Sequence, residues 1–209
     1  MGRCSRRSGS IFRTPDDRMH PDQDRDFRRQ EWEVRPVPLK DARALVIEHH
    51  YAKGCANTAV YSHGLFNRAN GDLYGAALWM PPTRVAAESV NREHWKQVLS
   101  LSRLVLLPQV PTNGASFLMS ASMRIIRKEG RFISVVTYAD ESQGHAGTIY
   151  RASNWTYVGR TGPYPRWIDP ATGQQVARLA TKSRTKAQML ELGYLEQGSF
   201  FKHKFVIHF

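Results

Sequence analysis

The middle of the chain constrains the fold most, because two buried strands flank an amphipathic helix there. The run Leu101–Leu107 is dominated by leucine and valine, which favours a buried strand. From Ala115 to Ile126, apolar residues recur at the i, i+3, i+4, i+7 positions of one helix face. Phe132–Tyr138 is a second strongly apolar strand, of the kind buried on both faces. Strands that alternate with helices indicate an α/β or α+β fold with a mixed sheet.

Further strands and helices are predicted on both sides of this unit. Helical spacing predicts a helix that begins near Leu39 and ends at about Tyr51. The turn signal Asn70-Gly71 predicts a β-hairpin. The remaining predicted elements are strands at Glu33–Val37, Thr58–Phe66, Asp72–Trp79, Asn154–Arg160, Arg166–Ile168 and Ser199–Ile207, and helices over residues 84–98 and near Lys182–Leu192.

Length and composition predict one domain behind a tail. A chain of 209 residues buries roughly 70% of its unfolded surface on folding, which suffices for one core. Residues 1–31 are rich in Arg, Asp and Ser, which predicts a flexible tail, and residues 32–209 are expected to form a single domain. No apolar run approaches the ~20 residues of a membrane span, and the basic N-terminus lacks the apolar segment of a signal peptide. We therefore expect a cytosolic protein with no membrane partner.

The charge of the chain favours a polyanionic partner. Thirty Lys and Arg residues against 18 Asp and Glu residues leave a net charge of +12. Residues 1–30 carry eight Arg and five Asp, or +3, which leaves +9 for the rest of the chain. Lys and Arg side chains that neutralise DNA phosphates release bound counterions, although a basic protein can also merely stay soluble. One basic stretch can contact a phosphate backbone or can simply form the solvent-exposed face of a helix. It consists of Arg178, Lys182, Arg184 and Lys186.

The junction between the first buried strand and the amphipathic helix is a candidate anion site. Thr112 or Asn113 can cap the helix, and Gly114 keeps its start free of a side chain. Free backbone N–H groups and the helix dipole make such a start a phosphate site, but an ordinary capped helix explains the same residues. Arg103, within the strand, needs an anion if it is buried, either a phosphate or a carboxylate of the protein.

A second candidate site follows the second buried strand. Asp140 stands at the carboxyl end of that strand, where open α/β sheets place their ligands. The loop behind it supplies the imidazole of His145 and the phenol of Tyr150. Such a cluster can provide a general base with partners or an oxygen and nitrogen metal site. Alternatively, Asp140 caps a short helix and His145 is a polar residue without a catalytic role.

Histidine and tyrosine also cluster at the end of the first predicted helix. His49 continues its apolar face, whereas His50 and Tyr51 leave that face where the helix ends. His50 and Tyr51 can therefore belong to a functional site or have no functional role. Tyr61 and His63 share one face of a strand, so they can join the site or lie on a solvated hairpin face.

Aromatic and cationic residues are interleaved in the last third of the chain, at Tyr150-Arg151, Trp155–Arg160 and Tyr164–Trp167. Arg side chains and aromatic rings can hold a flipped or unstacked base. Aromatic residues are equally used to fill the core, which is the interpretation we favour for Trp155.

Four of these features resemble, in this order, the Mom family of phage DNA-modification proteins: His50-Tyr51, Ser102-Arg103-Leu104, Asn113–Ser116 and Tyr138–Trp155. The resemblance covers residues 32–160 most clearly, and the stretch from Asp140 to Trp155 is its most specific part. It implies a GNAT-like (acetyltransferase-type) fold with a mixed, mostly antiparallel sheet flanked by helices.

The resemblance also implies an activity and a site. Mom-like proteins hypermodify the exocyclic N6 amine of adenine in phage DNA and so protect that DNA from restriction. We therefore expect double-stranded DNA as the partner, with its adenine flipped, in the cytoplasm of the infected bacterial host. The alternatives are a GNAT N-acetyltransferase that acts on a protein or small-molecule amine, and a non-catalytic DNA-binding protein on a GNAT scaffold.

By the same resemblance, the cofactors are acetyl-CoA or a related CoA-type donor, together with iron. The residues that would bind the CoA-type donor are Arg103, Asn113, Gly114, Ala115 and Ser116. The residues that would form the reaction centre are His50, Tyr51, Asp140 and Tyr150, of which His50, Asp140 and Tyr150 would hold the iron.

Overall fold

The computed structural model describes residues 26–176, 181 and 183–209. Ten strands lie in this part of the chain: β1 (Trp32–Pro36), β2 (Tyr61–Asn67), β3 (Leu73–Met80), β4 (Val98–Leu106), β5 (Ser134–Asp140), β6 (Thr156–Arg160), β7 (Tyr164–Asp169), β8 (Gln174–Gln175), β9 (Leu195–Phe200) and β10 (Lys202–His208). Seven of them form a sheet in the order β1-β2-β3-β4-β5-β10-β6, and three form a small sheet in the order β8-β7-β9. Every pair in the large sheet is antiparallel except β4 with β5. The predicted mixed, mostly antiparallel sheet is thereby confirmed.

Helices cover both faces of the large sheet. They are α1 (Leu39–His49), α2 (Arg84–Glu88), α3 (Gly114–Glu129) and α4 (Thr148–Ala152). A further helix, α5 (Lys186–Glu191), contacts β9 of the small sheet. Successive residues of a strand point to opposite faces of the sheet, so neighbouring residues of β3 pack against helices on different faces. Its Leu78 belongs to the core cluster that contains Val46 of α1, whereas its Trp79 belongs to the cluster that contains Leu118 of α3.

The amphipathic pattern of α3 accounts for its position. Its buried residues include Leu118, Met119 and Ile126, all of them fully covered by the sheet. Truncating one such side chain to alanine costs about 2–5 kcal/mol. The helix ends at Gly130, which adopts the left-handed conformation (φ 70°) that favours glycine.

The two central strands separate soon after they pair. β4 and β5 are hydrogen-bonded in parallel only between Val98–Ser100 and Ser134–Val136. At the point of separation the Thr137 hydroxyl still donates to the Leu101 carbonyl, at 3.3 Å. Beyond it the carboxyl halves of the strands diverge. We call this opening the β4–β5 fork, and it positions the candidate site.

Some predicted elements differ from those observed. The helix predicted over residues 84–98 ends at Glu88, and Val98 already belongs to β4. The spacing of Val90 and Trp95 suggested a helix, but Val90 lies in a turn and Trp95 in a single 3₁₀ turn. Both side chains pack against a small apolar cluster. The strand predicted at Ser199–Ile207 is two strands, β9 and β10, which belong to different sheets.

The ends of the described chain carry two further observations. Phe27 stacks on Trp32 with ring centroids 6.0 Å apart and lies 5.0 Å from Phe117, so the packed part of the chain begins before β1. Residues 1–25 of the predicted tail lie outside the described residues, as do Arg178 and Lys182 of the basic stretch. Among the helices that the structure does describe, none has the length and apolar character needed to cross a membrane.

Candidate active site

A cleft lies at the β4–β5 fork, where β5 lines it with Thr137 and Tyr138. The end of α1 contributes His50 and Tyr51, and β4 contributes Arg103. The segment that leads into α4 contributes His145, and α4 itself contributes Tyr150. The structure therefore brings together three of the four residues expected at the reaction centre and one of those expected at the donor site.

His50 is held as a neutral ring. It follows the last residue of α1, is only 7% exposed, and accepts a hydrogen bond on Nδ1 from the backbone N–H of Ala52, at 3.0 Å. Burial, followed by the charges of Arg103 and His145, lowers the pKa of His50 to about 3. A neutral imidazole that accepts on Nδ1 carries its proton on Nε2. His50 can therefore donate a hydrogen bond through Nε2, but it cannot act there as a base.

Two phenols complete the cleft. The Tyr51 ring lies 4.3 Å from the His50 ring and meets the His145 ring edge-on at 5.6 Å. Burial and then the charge of Asp140 raise the pKa of Tyr51, so its hydroxyl stays protonated. The Tyr150 ring packs against Trp155 and Phe205 in the core, with centroids 5.7 and 5.2 Å away. Both phenols can therefore serve as proton donors.

Arg103 ties the turn after α1 to strand β4. Its Nε donates to the Gly54 carbonyl at 2.8 Å, and its Nη1 donates to the Ser102 carbonyl at 2.6 Å. Within the described residues no carboxylate forms an ion pair with it. The strand arginine is therefore neutralised by backbone carbonyl dipoles rather than by an acidic side chain, and it brings positive charge to the cleft.

Asp140 lies at the end of β5, outside the cleft lining, and both of its oxygens have partners. Oδ1 accepts from the backbone N–H and the hydroxyl of Ser142, at 3.1 and 2.7 Å, and from the Tyr164 hydroxyl. Oδ2 lies 3.2 Å from Nζ of Lys202. Burial alone would raise the pKa of Asp140, but the hydrogen bonds from Tyr164 and Ser142 and the charge of Lys202 outweigh it and lower that pKa. The carboxylate is therefore an anion, and it also caps the 3₁₀ turn that follows.

The partners of Asp140 on the small sheet were not predicted. Tyr164 and Arg166 stand two residues apart on β7, so they share one face of that strand. Tyr164 donates to Asp140, and Nη1 of Arg166 donates to the Ser142 carbonyl at 2.8 Å. The i, i+2 spacing of a phenol and a cation was the available signal, but a sequence does not show which loop that face meets.

The start of α3 lies away from the cleft lining and is uncapped. Asn113 adopts a left-handed conformation (φ 77°), and its side chain makes no capping hydrogen bond, contrary to one of our expectations. A Cβ at Gly114 would collide with the Val110 side chain, so packing already requires glycine there. The hydroxyl of Ser116 donates to the Asn113 carbonyl at 2.9 Å. The backbone N–H groups of Ala115 and Ser116 are in the first helical turn, where no intrahelical acceptor exists.

Tyr61 and His63 do not reach the cleft. His63 is 1% exposed, and its Nδ1 lies 2.6 Å from the Ser122 hydroxyl beneath α3. The same hydroxyl accepts from the Trp79 indole at 2.6 Å, and the Tyr61 hydroxyl donates to Glu129 at 2.6 Å. These contacts form a polar network that joins the sheet to α3.

The residues that the resemblance implies as iron ligands do not fit a metal as they are arranged. His50 leaves Nε2 for a ligand, and Tyr150 offers a phenol oxygen in the same cleft. Asp140, however, has each carboxylate oxygen engaged by a protein donor. Of the residues that the structure describes, no group of three or more His, Cys, Asp or Glu side chains could hold a metal ion.

The fold and the cleft define the class of protein. The structure is similar to that of an agmatine N-acetyltransferase, with a TM-score of 0.51 and 14% identity over 86% of this chain and 100% of that chain. It is also similar to a Bacillus subtilis acetyltransferase in complex with CoA, with a TM-score of 0.50 and 8% identity over 86% and 98% of the two chains. At such identities the likeness shows the fold, which is the GNAT-like acetyltransferase fold.

The sequence gives the family within this class. Residues 31–207 match the family model of the Mom protein family, so the chain belongs to that family. It is 29% identical over 137 residues to methylcarbamoylase mom of Escherichia phage Mu. The aligned region covers 62% of this chain and 54% of that protein. The chain thus spans about half the length of this curated relative.

Proposed function

We propose that this protein transfers a carbonyl-bearing group, acyl or carbamoyl, from a CoA-type donor to the N6 amine of adenine in phage DNA and so protects the DNA from restriction. Membership of the Mom family supports DNA as the acceptor. The observation that carries the proposal is the cleft at the β4–β5 fork, where a neutral His50, Arg103 and Tyr150 meet. The name of the phage Mu relative describes the transfer of a methylcarbamoyl group.

Two features support a phosphate-bearing donor. The first turn of α3 presents the backbone N–H groups of Ala115 and Ser116, and its dipole favours an anion there. Arg103 adds a cation on the strand that leads toward this helix. The donor would place its phosphates at the start of α3 and its reactive carbonyl in the fork.

The chemistry needs an amine, a leaving group and two proton movements. The N6 nitrogen forms a bond to the carbonyl carbon, the bond from that carbon to the CoA sulfur breaks, and the thiolate leaves. In this proposal Nε2 of His50 donates to the carbonyl oxygen as negative charge develops there. The phenol of Tyr150 donates its proton to the thiolate, and the phenolate regains a proton from solvent. The proton lost by N6 passes through the hydroxyl of Tyr51, which lines the cleft, to the Asp140 anion, whose charge acts on Tyr51, and from there to solvent.

The experiment is nucleoside mass spectrometry of plasmid DNA after expression of the protein. We expect an adenine nucleoside of increased mass, and none in cells that express His50→Gln. Unmodified adenine together with CoA-dependent acylation of a protein or small-molecule amine would replace this proposal by that of a plain N-acetyltransferase. Metal analysis of the same preparation tests iron. One equivalent of iron that is lost in Tyr150→Phe would contradict the poor fit of the cleft residues to a metal.

A further inference from the structure

A basic groove runs between β1 and α3, on the other side of α3 from its sheet-facing core residues. It has a volume of about 840 Å³ and shares no lining residue with the cleft. Its charged residues are Arg29, Arg68, Arg124, Lys128 and Glu33. The groove therefore has four cations and one anion, and it offers many hydrogen-bond donors but few acceptors.

The cations of this basic groove are only partly neutralised. Arg68 lies 3.4 Å from the Glu33 carboxylate, which uses the single acidic side chain of the groove. Arg29 lies over the Phe117 ring at 5.6 Å. Arg124 and Lys128, both exposed on α3, form no ion pair with any residue that the structure describes. An anion that entered the groove would meet about three positive charges in excess.

Trp32 forms part of the wall of the basic groove, and only 4% of its surface is exposed. Its ring packs between Phe27 and Tyr74, with centroids 6.0 and 5.4 Å away. The wall of the groove is therefore fixed by core packing, and the excess of cations indicates its ligand. Phosphate oxygens supply the acceptors and the negative charge that the groove lacks.

We infer that the basic groove binds the phosphate backbone of DNA at a second position, separate from the cleft. The inference rests on the proposed function, because it takes the DNA substrate as the occupant. β1 and β4 are three strand positions apart, so at about 4.8 Å per strand the β1 wall of the groove lies roughly 14 Å from β4 across the sheet. One helical turn of DNA is about 34 Å long, so a single duplex can reach both positions.

DNA suits the groove better than an acidic protein for a physical reason. Phosphate contacts from Lys and Arg are independent of base sequence and fix the orientation of the duplex. A base presented to the cleft needs a firm hold on the duplex around it, since flipping it out of the stack is unfavourable. A second, sequence-independent contact supplies that hold.

The test measures binding of a 30-base-pair duplex by fluorescence anisotropy across a salt series. In Arg124→Ala/Lys128→Ala, we expect the slope of log K against log salt to become shallower by about 1.8, since each phosphate contact contributes about 0.9. The matched control is Lys40→Ala/Arg92→Ala, which removes two exposed charges outside the groove and is expected to keep the wild-type slope.

Three outcomes are distinguishable from one another. If Arg124→Ala/Lys128→Ala keeps the wild-type slope and still modifies adenine, the groove does not bind DNA, and the proposed function is unaffected. Absence of both DNA binding and adenine modification in the wild type would instead remove the proposed function. Calorimetry with CoA on the same variants gives the third outcome, because a loss of CoA affinity would assign the groove to the phosphates of the donor. Melting temperatures close to that of the wild type exclude misfolding as the cause.

Discussion

The hydroxyl of Tyr164, on the small sheet, donates a hydrogen bond to the carboxylate of Asp140, which ends a strand of the large sheet. Lys202 joins the same carboxylate from β10. The small sheet therefore has a direct polar contact with a residue expected at the reaction centre. A change in the position of β7 would alter the hydrogen bonding of Asp140.

Removing the carboxylate of Asp140 tests its role in the reaction. We expect Asp140→Ala to abolish adenine modification while the protein stays folded, because the proposed chemistry needs an acceptor for the N6 proton. The loss of the partners of Lys202 and Tyr164 should lower the free energy of unfolding by about 1–3 kcal/mol. Nucleoside mass spectrometry and urea unfolding check the two effects separately. Normal modification of DNA by the folded variant would exclude Asp140 from the mechanism.

Removing the Tyr164 hydroxyl tests the contact between the two sheets. Tyr164→Phe deletes one hydrogen bond to a charged acceptor, so we expect the free energy of unfolding to fall by about 1–2 kcal/mol and modification to slow. Tyr157→Phe is the matched control, since its exposed hydroxyl makes only a long contact, 3.4 Å, with His203. Equal stability of the two variants would mean that the contact with Asp140 contributes nothing.

Donor binding can be divided between side chains and backbone. We expect Arg103→Ala to weaken CoA-type binding by about 1–3 kcal/mol, up to roughly a hundredfold, through loss of its charge and of its hold on Gly54. Ser116→Ala should change it little, because the Ser116 hydroxyl already donates within the helix. Ser116→Pro removes the backbone N–H and should weaken binding. Calorimetry that gave wild-type affinity for both Arg103→Ala and Ser116→Pro would place the donor elsewhere.

DNA binding should depend steeply on salt and weakly on base sequence. With +9 on residues 31–209, about 4–8 phosphate contacts are expected, which gives a slope of about −4 to −7 for log K against log salt. Titration of two duplexes of unrelated sequence at several salt concentrations measures both properties. A slope near zero would favour a small-molecule acceptor.

Stability should decrease as the solution becomes mildly acidic. Burial lowers the pKa of His63 below 6.5, and burial with nearby cations lowers that of His50 to about 3. The unfolded chain then binds more protons than the folded one below pH 6.5, so the stabilisation is complete above that pH and is lost as the pH falls. We expect His50 to contribute about 1 kcal/mol of this loss between pH 7.5 and 5.5, measured by urea unfolding, and His63 to add a loss of the same sign. His63→Asn should flatten this dependence, whereas His94→Asn, at an exposed position, should leave it unchanged.

The sequence by itself determined the central elements and their order. Local patterns were sufficient where the helical periodicity is regular, as in α1 and α3, and the buried strands β4 and β5 follow from their apolar composition. Local patterns wrongly predicted that the helix continues after Glu88. Val90 and Trp95 are apolar because they pack against a cluster of the core, and they do not lie on a helix face. The resemblance in motif order correctly predicted the family and the GNAT-like fold.

Only the tertiary structure decided which residues meet. The fork between β4 and β5 places Tyr51, Arg103 and Tyr150 around one cleft, although they are far apart in the sequence. The partners of Asp140 come from β7 and β10, and no local pattern encodes such contacts between distant segments. The same holds for His63, whose strand pattern allowed a solvated face or a place in the site. Its burial against Ser122 depends on where α3 packs, which the whole core sets.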